Sequence, residues 1–257
     1  MEVLREDLNG VATIKLNRPQ VFNSFNRAMA ISLQQILDDC ENDENVRAII
    51  LTGEGKAFCA GQDLGEATDP QGPQMKDIVE KHYNPIILKL RKIEKPIICA
   101  VNGVAAGAGA NIALACDITI AKKSASFIQA FSKIGLIPDS GGTYFLPRLI
   151  GTQKALALMM TGEKLSAEEA ERMNLIYKAV EDESFEETVN TFAETLAQMP
   201  TKGLGLTKRL VNEGWNNSLE EQLMQEGILQ AEAGTTYDFK EGVQAFLEKR
   251  KPIFKGK

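Results

Sequence analysis

Four short apolar runs, separated by amphipathic stretches, constrain this chain more than any other feature. "VATIKL" (Val11–Leu16), "VRAIILTG" (Val46–Gly53), "PIICAV" (Pro96–Val101) and "DITIAK" (Asp117–Lys122) have the length and β-branched content of strands. Several are apolar nearly throughout, as strands covered on both faces are. Between the first two runs, Leu33, Ile36, Leu37 and Cys40 share one helical face. A helix is expected over Ile86–Ile93, and "AGANIALACD" opens another. Strands alternating with helices predict an α/β architecture with largely parallel pairing.

The second half changes character. Ser166-x-x-Glu169 and Ser184-x-x-Glu187 fit capping boxes, each ahead of a helical pattern. Phe185, Val189, Phe192 and Leu196 form one apolar stripe, and further helices are predicted over Thr201–Asn212, Ser218–Ala231 and Tyr237–Lys249. The expected division is a β/α core over residues 1–195 and a helical segment over residues 196–257. The Pro/Gly-rich, polar stretch Glu66–Asp77 reads as a surface loop.

Composition removes several functions. A net charge of −6 argues against nucleic-acid binding, which needs clustered Lys and Arg. No apolar run approaches the roughly 20 residues that span a bilayer, so no membrane partner is expected. "MEVLREDLNG" is acidic and lacks an apolar signal core, so the profile predicts a cytoplasmic protein. Cys40, Cys59, Cys99 and Cys116 show no CxxC spacing. Cys99 and Cys116 lie in apolar runs and read as buried thiols, whereas Cys59, beside glycine, could face a site. His82 is the only histidine, and "VEKHYNP" reads as an exposed helix end. Nucleophile–histidine designs and a zinc site are therefore not expected, and no metal is assigned.

Two glycine-rich places look suited to chemistry. "NGVAAGAGANIALACD" has Ile112 where a dinucleotide fingerprint needs Gly or Ala, and it lacks the Lys and Ser/Thr of a P-loop. What remains is strand, glycine turn and helix. Such a turn admits a ligand close to free N–H groups, or simply packs helix on sheet. "KAFCAGQDL" (Lys56–Leu64) follows a strand in the same way and would expose N–H groups around Gln62. Two donors of this kind converging on one oxygen would make an oxyanion hole. A third stretch, "IGLIPDSGGT", carries Asp139 within Pro138-Asp139-Ser140-Gly141. Proline, aspartate and glycine in that order suit a turn. Whether Asp139 closes the turn or moves a proton stays open on these residues alone.

"NRPQVFNSFN", "AFCAGQDL", "VNGVAAGAGANIALACDI" and "IGLIPDSGGT", in this order, resemble the enoyl-CoA hydratase/isomerase (crotonase) superfamily, and the likeness runs to "AFLEKRKPIFKGK". Within it, "AFCAGQDL" with "FSKIGLIPDSGGT", and "GLGLTKRL" later, look most like the branch that turns ring-1,2-epoxyphenylacetyl-CoA into oxepin-CoA in phenylacetate catabolism.

The resemblance implies a spiral of ββα turns whose C-terminal helices pack subunits into a homotrimer or a dimer of trimers. It implies an acyl-CoA substrate, with no cofactor beyond the coenzyme A that the substrate carries. Backbone N–H groups of Gln62 and Ala108 would hold the thioester oxygen. Ala60, Gly61, Asp63 and Leu64 would line a bent CoA, with adenine near Asn17–Phe22 and Lys251 near its phosphates. Gly107, Asn111 and Phe131 would border the acyl group. Hydratases of the superfamily carry two glutamates, and alignment on Gly107 and Gly135 puts Asn111 and Phe131 in their places. Asparagine is no general base, and phenylalanine offers no polar atom. Isomerases use a carboxylate at the position of Asp139, so the likeness tips Asp139 toward proton transfer. Apolar neighbours such as Ile137 and Phe131 would then raise its pKa by desolvation. A Δ3,Δ2-enoyl-CoA isomerase activity would accompany the main reaction. The alternatives are a hydratase or other crotonase-type enzyme, and a non-catalytic acyl-CoA-binding protein.

Overall fold

A computed structural model describes residues Met1–Lys257. Its strands are β1 (Val3–Leu8), β2 (Val11–Leu16), β3 (Ala48–Gly53), β4 (Ala57–Cys59), β5 (Ile97–Val101), β6 (Val104–Ala106), β7 (Ile118–Lys122), β8 (Ser126–Ile128), β9 (Lys164–Ser166) and β10 (Lys178–Val180). They form a six-stranded sheet in the order β1-β2-β3-β5-β7-β10 and a four-stranded sheet in the order β4-β6-β8-β9. The chain leaves the large sheet at β3, β5 and β7 and each time lays the next strand in the small one. This is the coiled repeat of the expected spiral.

The four apolar runs are β2, β3, β5 and β7, paired in parallel. Their composition follows from burial on both faces. Ile14, Ile49, Leu51, Ile97, Cys99 and Val101 enter the main core, whereas Val11, Ile50, Ile98 and Ile120 meet Phe185, Val189 and Ala193 of the Phe185–Ala197 helix. The Arg27–Asn42 helix buries Leu33, Leu37 and Cys40 against the main core, and Asn26 caps it by accepting from Met29 N at 2.9 Å. Helices over Thr201–Glu213, Leu219–Gly234 and Tyr237–Glu248 follow. The boundary expected after residue 195 falls in the last turn of the helix that covers the large sheet.

Two local expectations need correction. Ser184 does not cap its helix with its side chain; its Oγ donates to Glu181 O at 3.2 Å instead. The reciprocal capping box stands at Ser218 and Glu221. His82 is not at an exposed helix end: a π-helical segment, Ile78–Tyr83, turns His82 and Tyr83 inward, leaving them 5% and 0% exposed.

Candidate active site

Strands β4, β6 and β8 run parallel, with Ala57 opposite Val104 and Ala106 opposite Ile128, so their C-terminal ends lie side by side. Crevices at such strand ends are where α/β sheets hold ligands. Residues Ala60–Leu64 follow β4, Gly107 and Ala108 follow β6, and Phe131 and Asp139 come after β8. Gly107 N donates to Ile128 O at 2.9 Å, which ties the second of these segments to the third.

The two segments that carry the expected N–H donors approach each other here. Phe25 N donates to Gly61 O at 2.7 Å and Phe25 O accepts from Asp63 N at 2.8 Å. The residue between, Gln62, therefore turns its own N–H away from Phe25. Ala108 is the first residue of the Ala108–Ala115 helix, where N–H groups have no partner within the helix. A methyl group on Gly61 would lie 3.6 Å from Ala108 N and 2.9 Å from Ala106 O, so the two backbones are nearly in contact. Gly107 has φ +53° and ψ −128°, a conformation that excludes a side chain and aims the helix start at the crevice. Phe131, buried, packs over this turn, its Cζ 3.8 Å from where a Gly107 Cβ would stand.

Asp139 sits in a loop held from behind. Its carbonyl accepts from Asn111 Nδ2 at 2.9 Å and from Gly142 N at 2.8 Å. Asn111 is fully buried, and its Oδ1 accepts from Gln129 Nε2 at 2.8 Å. Ser140 and Gly141, both at positive φ, turn the chain into the Gly142–Ile150 helix. The Asp139 carboxylate itself accepts only from Ser140 Oγ, at 2.9 Å, among side chains. Burial pushes its pKa up, and the Ser140 bond offsets this only in part. Desolvation is therefore the dominant cause, as expected, but Ile137 does not supply it. That side chain is 81% exposed.

The enoyl-CoA hydratase/isomerase family model matches residues 6–257. The chain belongs to the enoyl-CoA hydratase/isomerase family. The 1,2-epoxyphenylacetyl-CoA isomerase of Escherichia coli strain K12 is 49% identical over 251 residues, covering 96% of both chains. A protein of Rhodobacter capsulatus described as a "probable enoyl-CoA hydratase" is 46% identical over 248 residues, covering 96% of this chain and 95% of its own. The crystal structure of an enoyl-CoA hydratase from Bacillus anthracis superposes with a TM-score of 0.93 at 35% identity, covering all of both chains. This enzyme of the hydratase/isomerase family thus has the crotonase fold.

The remaining candidates in the family enzyme take different places. Phe22 is 57% exposed at φ +52°, and its carbonyl accepts from Ala60 N at 2.9 Å, joining the Asn17–Phe22 loop to the Ala60–Leu64 strip. Leu64 is exposed beside it. The Asp63 carboxylate pairs with Arg18 at 2.9 Å and accepts from Gly65 N at 3.0 Å, so it is spent on the local fold. Asn111 is likewise occupied: both polar atoms of its amide bond within the chain, which makes it a support for Asp139. Lys251 is exposed, with Gln198 Oε1 at 3.5 Å. Cys59 does not face the crevice as a reactive group. It is buried under Gly109, and burial pushes its thiol up to about 12. No helix is long and apolar enough to cross a membrane.

Sequence reasoning missed Gln129 and Tyr83. Gln129 sits in "FIQAFS" with no spacing signal, and Tyr83 lay in a stretch whose charges suggested solvent.

Proposed function

We propose that this enzyme isomerises acyl-CoA thioesters, converting ring-1,2-epoxyphenylacetyl-CoA to oxepin-CoA, with Δ3,Δ2-enoyl-CoA isomerase activity beside it. The observation that supports this reading is a desolvated carboxylate, Asp139, in the segment after β8, beside the close approach of the Ala60–Leu64 strip to the Gly107–Ala108 turn. In the Δ3,Δ2 reaction, Asp139 removes a proton from C2 and the electron pair moves into the thioester carbonyl. The resulting enolate oxygen accepts from both N–H groups, which bind it more strongly than the neutral carbonyl. The enolate then collapses, and the same carboxylic acid returns the proton to C4. For the ring-epoxide substrate, Asp139 assists the opening of the three-membered ring to the seven-membered oxepin. The likeness to the Escherichia coli isomerase supports this substrate, and Asn111 and Phe131 at the hydratase glutamate positions disfavour hydration. Coenzyme A lies along Ala60–Leu64, with Phe22 at its adenine end and Lys251 at its phosphates.

The test is incubation with ring-1,2-epoxyphenylacetyl-CoA, a 3-enoyl-CoA and crotonyl-CoA, with products followed by mass and ultraviolet spectra. Isomerisation of the first two is expected. Turnover of crotonyl-CoA alone would make the enzyme a hydratase, and acceleration of none would leave an acyl-CoA-binding protein.

We further propose a trimeric assembly through the last two helices. Leu223, Ile228, Phe246 and Leu247 are 57%, 55%, 82% and 69% exposed, more apolar surface than one outer layer needs in water. Sedimentation should give a trimer or hexamer at micromolar concentration, and a monomer would count against it.

A further inference from the structure

A π-helical turn is rare and costs hydrogen-bond geometry, and where it occurs it is often at a functional site. Here six residues, Ile78–Tyr83, form one between Met75–Asp77 and the Asn84–Lys92 helix. The wide turn points its last residue into the protein. Tyr83 is fully buried, its ring 5.6 Å from that of Phe25. Its Oη donates to Gln62 Oε1 at 2.8 Å. The other end of the same amide, Nε2, donates to Glu66 Oε1 at 3.4 Å and to Asp63 O at 3.3 Å. Glu66 is itself anchored, accepting from Arg27 N at 2.9 Å.

Gln62 thus has its side chain held at both ends while its main-chain N–H stays turned away from Phe25. Phe25 fixes the same segment from the other side, through its bonds to Gly61 and Asp63. An N–H donor works on a developing oxyanion only if it is already aimed when the charge appears. Burial holds the Tyr83 phenol well above its ordinary range, and the nearby Asp139 charge acts in the same direction. The hydroxyl therefore keeps its proton, and remains a donor, across the whole physiological range.

We propose that Tyr83 is a positioning residue for the oxyanion hole: through its hydrogen bond to the Gln62 side chain it sets the direction of the Gln62 backbone N–H. The proposal rests on the acyl-CoA reading given above. It assigns a catalytic consequence to the π-helical turn, and to a fully buried side chain.

The test uses a ligand that cannot react, phenylacetyl-CoA labelled with carbon-13 at the thioester carbonyl, and reads the carbonyl stretch by difference infrared spectroscopy. Binding to the wild-type enzyme should move that band to lower frequency. Tyr83→Phe keeps the ring against Phe25 and removes only the hydroxyl, so the fold should persist while the shift shrinks. Turnover of the 3-enoyl-CoA should fall about tenfold in kcat with KM nearly unchanged, since an interaction made in the transition state is what is lost. Gln62→Met should cost a similar factor, and the double variant should lose no more than the worse single one, because both act through one contact. A wild-type band shift that Tyr83→Phe leaves intact, or losses that multiply in the double variant, would overturn the proposal alone. A wild-type carbonyl that does not shift at all would overturn the acyl-CoA reading and the proposal with it.

Discussion

Asn111 Nδ2 donates to the carbonyl oxygen of Asp139 at 2.9 Å, while Gln129 Nε2 donates to the other end of the same amide at 2.8 Å. The loop is held by its main chain, and the carboxylate keeps one side-chain partner, Ser140 Oγ. Asn111→Leu removes one donor from the Asp139 carbonyl and strands Gln129 Nε2. Leaving such buried groups unpaired costs about 1–3 kcal/mol. Urea denaturation should show a loss in that range, and kcat should fall as the loop relaxes. An unchanged midpoint together with unchanged kcat would refute the support role.

Asp139→Asn keeps shape and turn chemistry but removes the titratable group. If Asp139 transfers protons, isomerase turnover should drop by roughly 10²–10⁴-fold, the usual worth of a positioned acid or base. Acyl-CoA affinity, measured by calorimetry, should survive, because the Gln62 and Ala108 donors are backbone atoms. Wild-type turnover in this variant would return Asp139 to a purely structural place in the turn.

The same substitution should leave a pH-dependent mark on stability. Burial raises the Asp139 pKa, whereas the unfolded chain's carboxyl titrates near about 4. Between those two values the native state binds more protons, so stability falls as pH rises through that window. Below about 4 both states are protonated and the cost is absent. Asp139→Asn escapes this cost. Its thermal midpoint, compared with wild type, should be higher at pH 7 and should converge on wild type toward pH 4. A variant that loses ground as pH rises would contradict the desolvation argument.

Gly109 is the tightest point beneath the Ala108 donor. A methyl group there would stand 2.5 Å from Cys59 O and 2.7 Å from Cys59 Sγ, both in the core. Gly109→Ala must push the helix start away from β4, and overpacking of this kind costs about 1–3 kcal/mol. Thermal denaturation and turnover should fall together, since the displaced atom row includes Ala108 N. A fully active, equally stable variant would show that the two segments are looser than described.

The four long strands were legible because each is buried on both faces and so reads as an uninterrupted apolar run, as "AIIL" in β3 does. The three-residue strands β4, β6, β8, β9 and β10 were not, since three residues are too few to display a period. β1 was hidden by its charges, Arg5, Glu6 and Asp7, although the Asn9-Gly10 step that joins it to β2 is a hairpin signal. The site divides in the same way. Glycines and Asp139 stand out in sequence because turns require those residue types. Tyr83 and Gln129 do not, because only the π-helical turn and the chain's coiling bring them to Gln62 and Asn111.

The three strand ends that build the crevice are unequal in what mutation can do to them. On the proposed reading the Gln62 and Ala108 contributions are main-chain N–H groups, which a side-chain replacement does not itself remove, although the first is aimed through the Gln62 side chain. The Asp139 contribution is one side chain, on the third coil. On the proposed reading, a lineage inheriting this scaffold keeps most of its main-chain donors through side-chain change, while the proton-handling step is rewritten by a single replacement.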